Sequence, residues 1–280
     1  MFVTASDGAR LHVEQAGGGV PMVLAHGGPG LWDYLDELSG LLEPRFRVVR
    51  YDQRGGGRSD RRGPYTLERF VADYDEVRVR AEVDRIVAAG HSWGACLALL
   101  YAIRHPERVR GVLYVSGIGC EWPRFRASHR TEMLRRLGPE AERYTRLDSS
   151  TNRSADEEAE CNRLRWSTDY VDEASGRPRV QRMLDAGFEV NVECNRLLTA
   201  ELYQLSLDDW ATRLRGFERP VLVVAGERDP RPLEAIDSLV SMLPKVEKQV
   251  LPDAGHFPWV EQPDGFTTAV FDWLGRLPTR

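Results

Sequence analysis

A chain of 280 residues with 42% hydrophobic and 29% charged residues has the balance of an ordinary globular protein, large enough for one big domain or two small ones. A formal charge of −5 argues against nucleic acid as a partner, and no run of 18 apolar residues is present to span a membrane. Cys96, Cys120, Cys161 and Cys194 form no C-x-x-C pair, which disfavours zinc and redox motifs and suits free thiols; with no basic-then-apolar leader at the start, a cytoplasmic protein is the expectation.

Taken in chain order, residues 4–15 alternate in polarity around Asp7-Gly8 and read as a leading hairpin. Residues 21–25 (PMVLA) form the first buried strand and run straight into His26-Gly27-Gly28-Pro29-Gly30. Glycine permits close approach to the main chain and proline stiffens the loop, so this segment is shaped to present backbone N–H groups. Further strands are expected at residues 46–51, 85–89, 111–115 and 220–225, with a weaker one at 246–251. Helical patterns at residues 93–104 and 232–243 lie between them. Strands alternating with helices argue for βαβ units and a mostly parallel sheet, an α/β fold. Residues 121–206 are rich in Arg, Glu and Asp, carry helical periodicity and hold no buried strand pattern. They read as an all-helical cap inserted between core segments 1–120 and 207–280.

The strand at 85–89 leads into Gly90-His91-Ser92-Trp93-Gly94 and then an apolar helix, which is G-x-S-x-G in the context its mechanism needs. Ser92 on a sharp strand-to-helix turn is the candidate nucleophile; a turn serine without chemistry is the plain alternative. A serine hydroxyl needs a base, and the base an orienting group, in the chain order Ser, acid, His. Asp229, after the strand 220–225, and His256, in PDAGHFPW, fill those places. A structural histidine and a helix N-cap aspartate are the alternatives. Acyl transfer also needs two N–H donors for the developing oxyanion; Trp93 supplies one and Gly28 in the HGGPG loop the other.

HGGPG, DQRGGGRS at residues 52–59, GHSWG, GERD and AGH together resemble the proline iminopeptidase family of α/β-hydrolases, in its order and over nearly the whole chain. GHSWG stands where the family commonly has GGSWG. The resemblance implies an α/β-hydrolase fold with a helical cap, and an enzyme that removes the first residue of a peptide or amide through an acyl-enzyme, with no metal or organic cofactor. The DQRG segment reads as a brace, Arg54 tying down carbonyls. Family chemistry further implies a cap carboxylate for the substrate's α-ammonium group. Glu193, in Val192-Glu193-Cys194-Asn195, is similar to the family's segment in its start and its separation from Asp229, a solvated helix carboxylate being the plain alternative; Asp169 and Glu189 are further candidates.

Between Trp122 and Leu147 seven arginines face three glutamates. Such a face is commonly just solvated, but it suits docking of an acyl carrier protein that presents an aminoacyl intermediate of an antibiotic pathway. A carboxylesterase or lactonase on the same triad is the alternative reaction. A non-catalytic receptor on the same fold is the alternative of another class.

Overall fold

A computed structural model describes residues 1–278. Its eight strands are β1 (Phe2–Thr4), β2 (Arg10–Gly17), β3 (Val20–Ala25), β4 (Phe46–Tyr51), β5 (Ile86–His91), β6 (Val109–Val115), β7 (Val221–Gly226) and β8 (Val246–Leu251). They form one sheet in the order β1-β2-β4-β3-β5-β6-β7-β8, parallel from β4 to β8 and antiparallel at β1 and β2. The expected leading hairpin is present, with Gly8 at φ +86° in its turn and the pairing Val3↔Leu11. β5 reads IVAAGH with all six residues buried, as a central parallel strand covered on both faces must. β8 sits at the sheet edge and is mostly half-exposed, which is why its sequence signal is weak.

Outside the stretch between β6 and β7, the described residues hold six α-helices: α1 (Asp36–Leu42), α2 (Leu67–Arg80), α3 (Trp93–Arg104) and, toward the C-terminus, three more given below. α3 is the most enclosed, with Trp93 through Ala102 all buried, because WGACLALLYA offers no polar face to water. Between β6 and β7 the described residues hold helices and no strand: α4 (Trp122–Leu137), α5 (Ala141–Ser149), α6 (Ala155–Ser167), α7 (Glu173–Leu184), α8 (Val192–Gln204) and α9 (Leu207–Arg215). The helix expected at 232–243 is shorter, α10 (Glu234–Val240); α11 (Pro258–Glu261) and α12 (Pro263–Arg276) close the chain.

These inserted helices do not share one core. Met133, Leu137, Tyr144, Leu147, Cys161 and Leu164 of α4, α5 and α6 make a small cluster of their own. Cys194, Leu198 and Leu202 of α8 instead belong to the large cluster built on α2 and α3. α8 is therefore pinned to the body of the molecule, with consequences for which of its side chains face the site.

Candidate active site

Ser92 occupies the turn between β5 and α3 with φ 56° and ψ −119°, a strained conformation for a residue bearing a side chain. Its N–H donates to Val115 O at 2.9 Å, which ties the turn to β6. Gly94 is required on steric grounds: a Cβ there would stand 2.1 Å from Ala25 O. Ser92, Trp93, Gly28 and His256 line one cavity of about 730 Å³ enclosed by the helices of the insertion. Gly28 holds φ +128°, a conformation a side chain would oppose. Among the described residues, neither the Gly28 nor the Trp93 N–H donates to a backbone carbonyl.

The DQRG segment is a brace, although its arginine works differently from expectation. Gln53 ties the HGGPG loop to Trp93. Its N–H donates to His26 Nε2 (3.0 Å), its side-chain amide to His26 O (2.7 Å), and its Oε1 accepts from Trp93 Nε1 (3.0 Å). Arg54 is buried and chiefly grips carboxylates rather than carbonyls: Nε and Nη2 donate to Asp73 at 2.8 Å each, and Nη1 and Nη2 to Asp7 at 2.8 and 3.0 Å. Carbonyls of Arg62 and Gly63 take weaker bonds, at 3.3 and 3.5 Å.

Asp229 follows β7 and His256 follows β8, so neighbouring strand ends bring them together. His256 Nδ1 donates to Asp229 Oδ2 at 2.7 Å, which leaves Nε2 to face the cavity as an acceptor. Arg231, in the same turn, donates from its backbone N to Asp229 Oδ1 at 2.9 Å and from Nη1 at 3.3 Å. Burial raises the Asp229 carboxyl above its usual range, while the Arg231 cation opposes that rise. His256 is held well below an ordinary imidazole, first by burial and next by the cation of Arg231. It is therefore neutral around pH 7 and able to accept a proton.

The histidine that replaces glycine in GHSWG has a structural task. His91 is fully buried, and its Nε2 lies 2.9 Å from His256 O. A carbonyl only accepts, so Nε2 carries the proton and Nδ1 accepts from the Tyr34 hydroxyl at 2.8 Å. The same hydroxyl accepts from Gly27 N at 2.9 Å. One chain of hydrogen bonds thus runs from the HGGPG loop to the loop carrying His256. A second link comes from Glu261, whose carboxylate accepts from Gly255 N (2.6 Å), Val171 N (2.7 Å) and Asp172 N (2.9 Å). It fastens the chain after α6 beside His256, whose own N–H donates to Asp169 O at 2.8 Å. Nothing in the sequence pattern marks Tyr34 or Glu261. Arg231 carries the one available signal, a cation two residues beyond the acid.

The three cap carboxylates expected to hold an amine have separate fates. Asp169 lines the cavity and is buried, but its Oδ1 accepts from Arg231 Nη1 at 2.6 Å. Glu193 is exposed and outside the cavity lining. Asn191 and Asn195, around it, bond the loops at Gly55 and Pro29, and Cys194 turns into the core, so the cavity face of α8 is Val192, Asn195, Thr199 and Leu202. Glu189 is likewise exposed; it contributes only its carbonyl, to Arg61 Nη1 at 3.2 Å. Glu193 and Glu189 are thus corrected: the phase of α8 and the course of the preceding loop turn both away from the site.

Six of the seven arginines between Trp122 and Leu147 have a carboxylate partner: Arg124 with Glu121, Arg130 with Asp148, Arg135 and Arg136 with Glu132, Arg143 with Glu160, and Arg146 with Glu142. Arg126 and Arg130 line the cavity rather than an outward face alone. Among the described residues no group of His, Cys, Asp and Glu is arranged to hold a metal ion, and no helix is long and apolar enough to cross a membrane.

Residues 22–269 match the alpha/beta hydrolase family. A proline iminopeptidase from Heyndrickxia coagulans is 26% identical over 94% of this chain and 93% of its own length. One from Xylella fastidiosa (strain 9a5c) is 36% identical over a shorter alignment, 43% of this chain and 42% of the relative. Among solved structures, a meta-cleavage product hydrolase from Pseudomonas fluorescens IP01 superposes with a TM-score of 0.77 at 18% identity, over 98% of this chain and 97% of that one. That likeness concerns the fold.

Proposed function

The chain belongs to the alpha/beta hydrolase family and is a serine hydrolase, and on that premise we propose that it removes the N-terminal residue from a short peptide or aminoacyl amide. Ser92 Oγ attacks the carbonyl of the first residue while His256 Nε2 takes its proton. Asp229 holds the imidazolium through Nδ1. The N–H groups of Gly28 and Trp93 meet the oxyanion, and each such donor is worth on the order of 10²–10³ in rate. His256 then protonates the leaving amine, and water activated by the same nitrogen releases the acyl group from Ser92.

One observation carries the choice of substrate. The side chains of Asp169 and Asp229, both buried beside His256, share the single guanidinium of Arg231, so the ionised cluster has one negative charge to spare. A substrate α-ammonium group placed against Asp169 balances it, and a substrate without that charge leaves it unbalanced. The curated relatives named above support the same reaction. A carboxylesterase reading rests on a different fact: Asp169 Oδ1 already has a partner in Arg231.

The discriminating experiment compares kcat/KM for prolyl and alanyl arylamides, their N-acetylated forms, and a simple acyl ester. Turnover confined to the free amines supports the aminopeptidase. Indifference to acetylation, with the ester fastest, replaces it by the esterase.

A further inference from the structure

The same cavity also holds an excess of the opposite sign. α4 brings Arg126, His129, Arg130 and Met133 to the cavity lining, a spacing that puts them on one helix face, with Arg126 and Arg130 still open to solvent. Arg153 and, on α6, Arg165 complete four guanidiniums on this wall, against the carboxylates of Asp148 and Glu158. Arg153 and Glu158 match one another at 2.5 Å. Asp148, however, serves two cations: Oδ2 accepts from Arg130 Nη1 at 2.9 Å and Oδ1 from Arg165 Nη2 at 3.1 Å. Arg126 has no carboxylate partner among the described residues; its guanidinium lies 5.7 Å over the ring of Tyr203. The wall therefore carries two positive charges in excess, at Arg126 and at the pair that shares Asp148. His129 adds none at neutral pH, because burial and the neighbouring Arg231 hold it down to about 3.

Arginine offers a planar fork of donors that matches a carboxylate, and unneutralised guanidiniums in a walled cavity attract anions. We propose that Arg126 and Arg130, with Arg165, form a subsite for a carboxylate carried by the leaving-group side of the substrate. Taken with the amine-binding reading of Asp169, on which it rests, this makes the substrate class a short peptide with both termini free, or an aminoacyl amide of an acidic amine. The negative surplus beside His256 meets the α-ammonium, and the positive surplus on α4 and α6 meets the carboxylate. A long peptide or a neutral amide lacks the second contact.

Two matched pairs of compounds test this. Alanyl-4-aminobenzoate and alanyl-4-aminobenzamide both carry the free amine and differ in the charge of the leaving group. 4-Acetoxybenzoate and 4-acetoxybenzamide repeat that difference without any amine. In the unmodified protein the carboxylate of each turned-over pair has the higher kcat/KM, by about tenfold, the size expected for a charge-assisted contact. Arg126→Ala, which breaks no ion pair, lowers that ratio; Arg126→Ala with Arg130→Gln brings it close to one, and added salt does the same in the unmodified protein. A ratio near one in the unmodified protein, or a preference that survives both substitutions, overturns the subsite. Preference within the ester pair with no turnover of the alanyl compounds upholds the subsite and overturns the aminoacyl reading.

Discussion

Asp169 Oδ1 lies 2.6 Å from Arg231 Nη1, and that same nitrogen reaches Asp229 Oδ1 at 3.3 Å. A cap residue and the turn carrying Asp229 are thereby joined through one cation that sits beside His256, the proposed base. On the proposed mechanism this contact ties substrate charge and base strength together.

The first consequence concerns pH. His256 must be neutral to accept the Ser92 proton, so kcat/KM falls on the acid side as it protonates. Burial first, and Arg231 second, hold it well below the ordinary value near 6.5, which puts that acid limb below pH 6.5. Arg231→Gln removes a cation and leaves both carboxylates, and the limb then moves to higher pH. Arg231→Lys keeps the charge and moves it less. A pH profile of kcat/KM on one substrate decides; a limb unmoved in Arg231→Gln contradicts the role.

Carboxylates around the site separate cleanly. Asp169→Asn lowers kcat/KM for free-amine arylamides by about tenfold or more and has a smaller effect on an amine-free ester, as expected when a charged partner is lost. Glu193→Gln and Glu189→Gln, both outside the cavity lining, stay within about twofold of the unmodified protein on every substrate. An amine-selective loss in Glu193→Gln requires an α8 turned differently from the one described.

Tyr34→Phe removes the hydroxyl that accepts from Gly27 N and donates to His91 Nδ1. Two buried polar groups lose their partner, at about 1–3 kcal/mol of stability for each such group. Because Gly27 adjoins Gly28, kcat falls more than KM changes. Urea unfolding gives the first number and steady-state kinetics the second. Unchanged stability together with unchanged kcat denies the hydroxyl any role in bracing the two loops.

Arg54→Met leaves Asp73 and Asp7 without their shared cation, although Arg69 still reaches Asp73 at 3.0 Å. Breaking a buried pair from one side costs about 3–5 kcal/mol. Urea unfolding is the check, and a loss under 1 kcal/mol (on the order of a surface change) denies Arg54 its bracing role.

The sheet, and the strand-end positions of Ser92, Asp229 and His256, are legible in the sequence because each depends on local pattern. β3, β5, β6 and β7 are short apolar runs buried on both faces, and Ser92, Asp229 and His256 each follow a strand end. The amine site is not legible in the same way. Glu193 and Val192 differ by one position on α8, and the core packing of Cys194 and Leu198 decides which of them faces the cavity. Asp169 meets Arg231 across 62 residues of chain, and Tyr34 meets His91 across 57. Such contacts follow from the completed fold and leave no periodicity to read.

Covalent labelling is the sharpest test of Ser92 as the proposed nucleophile of this cavity. The protein is treated with a fluorophosphonate at pH 8, digested, and mapped by mass spectrometry while residual activity is followed. One phosphonyl group on the peptide containing Ser92, gained in step with the loss of activity and absent from Asp229→Asn or His256→Ala on the same time scale, is the predicted result. Activity that survives stoichiometric labelling of Ser92, or a label carried by another residue, contradicts it.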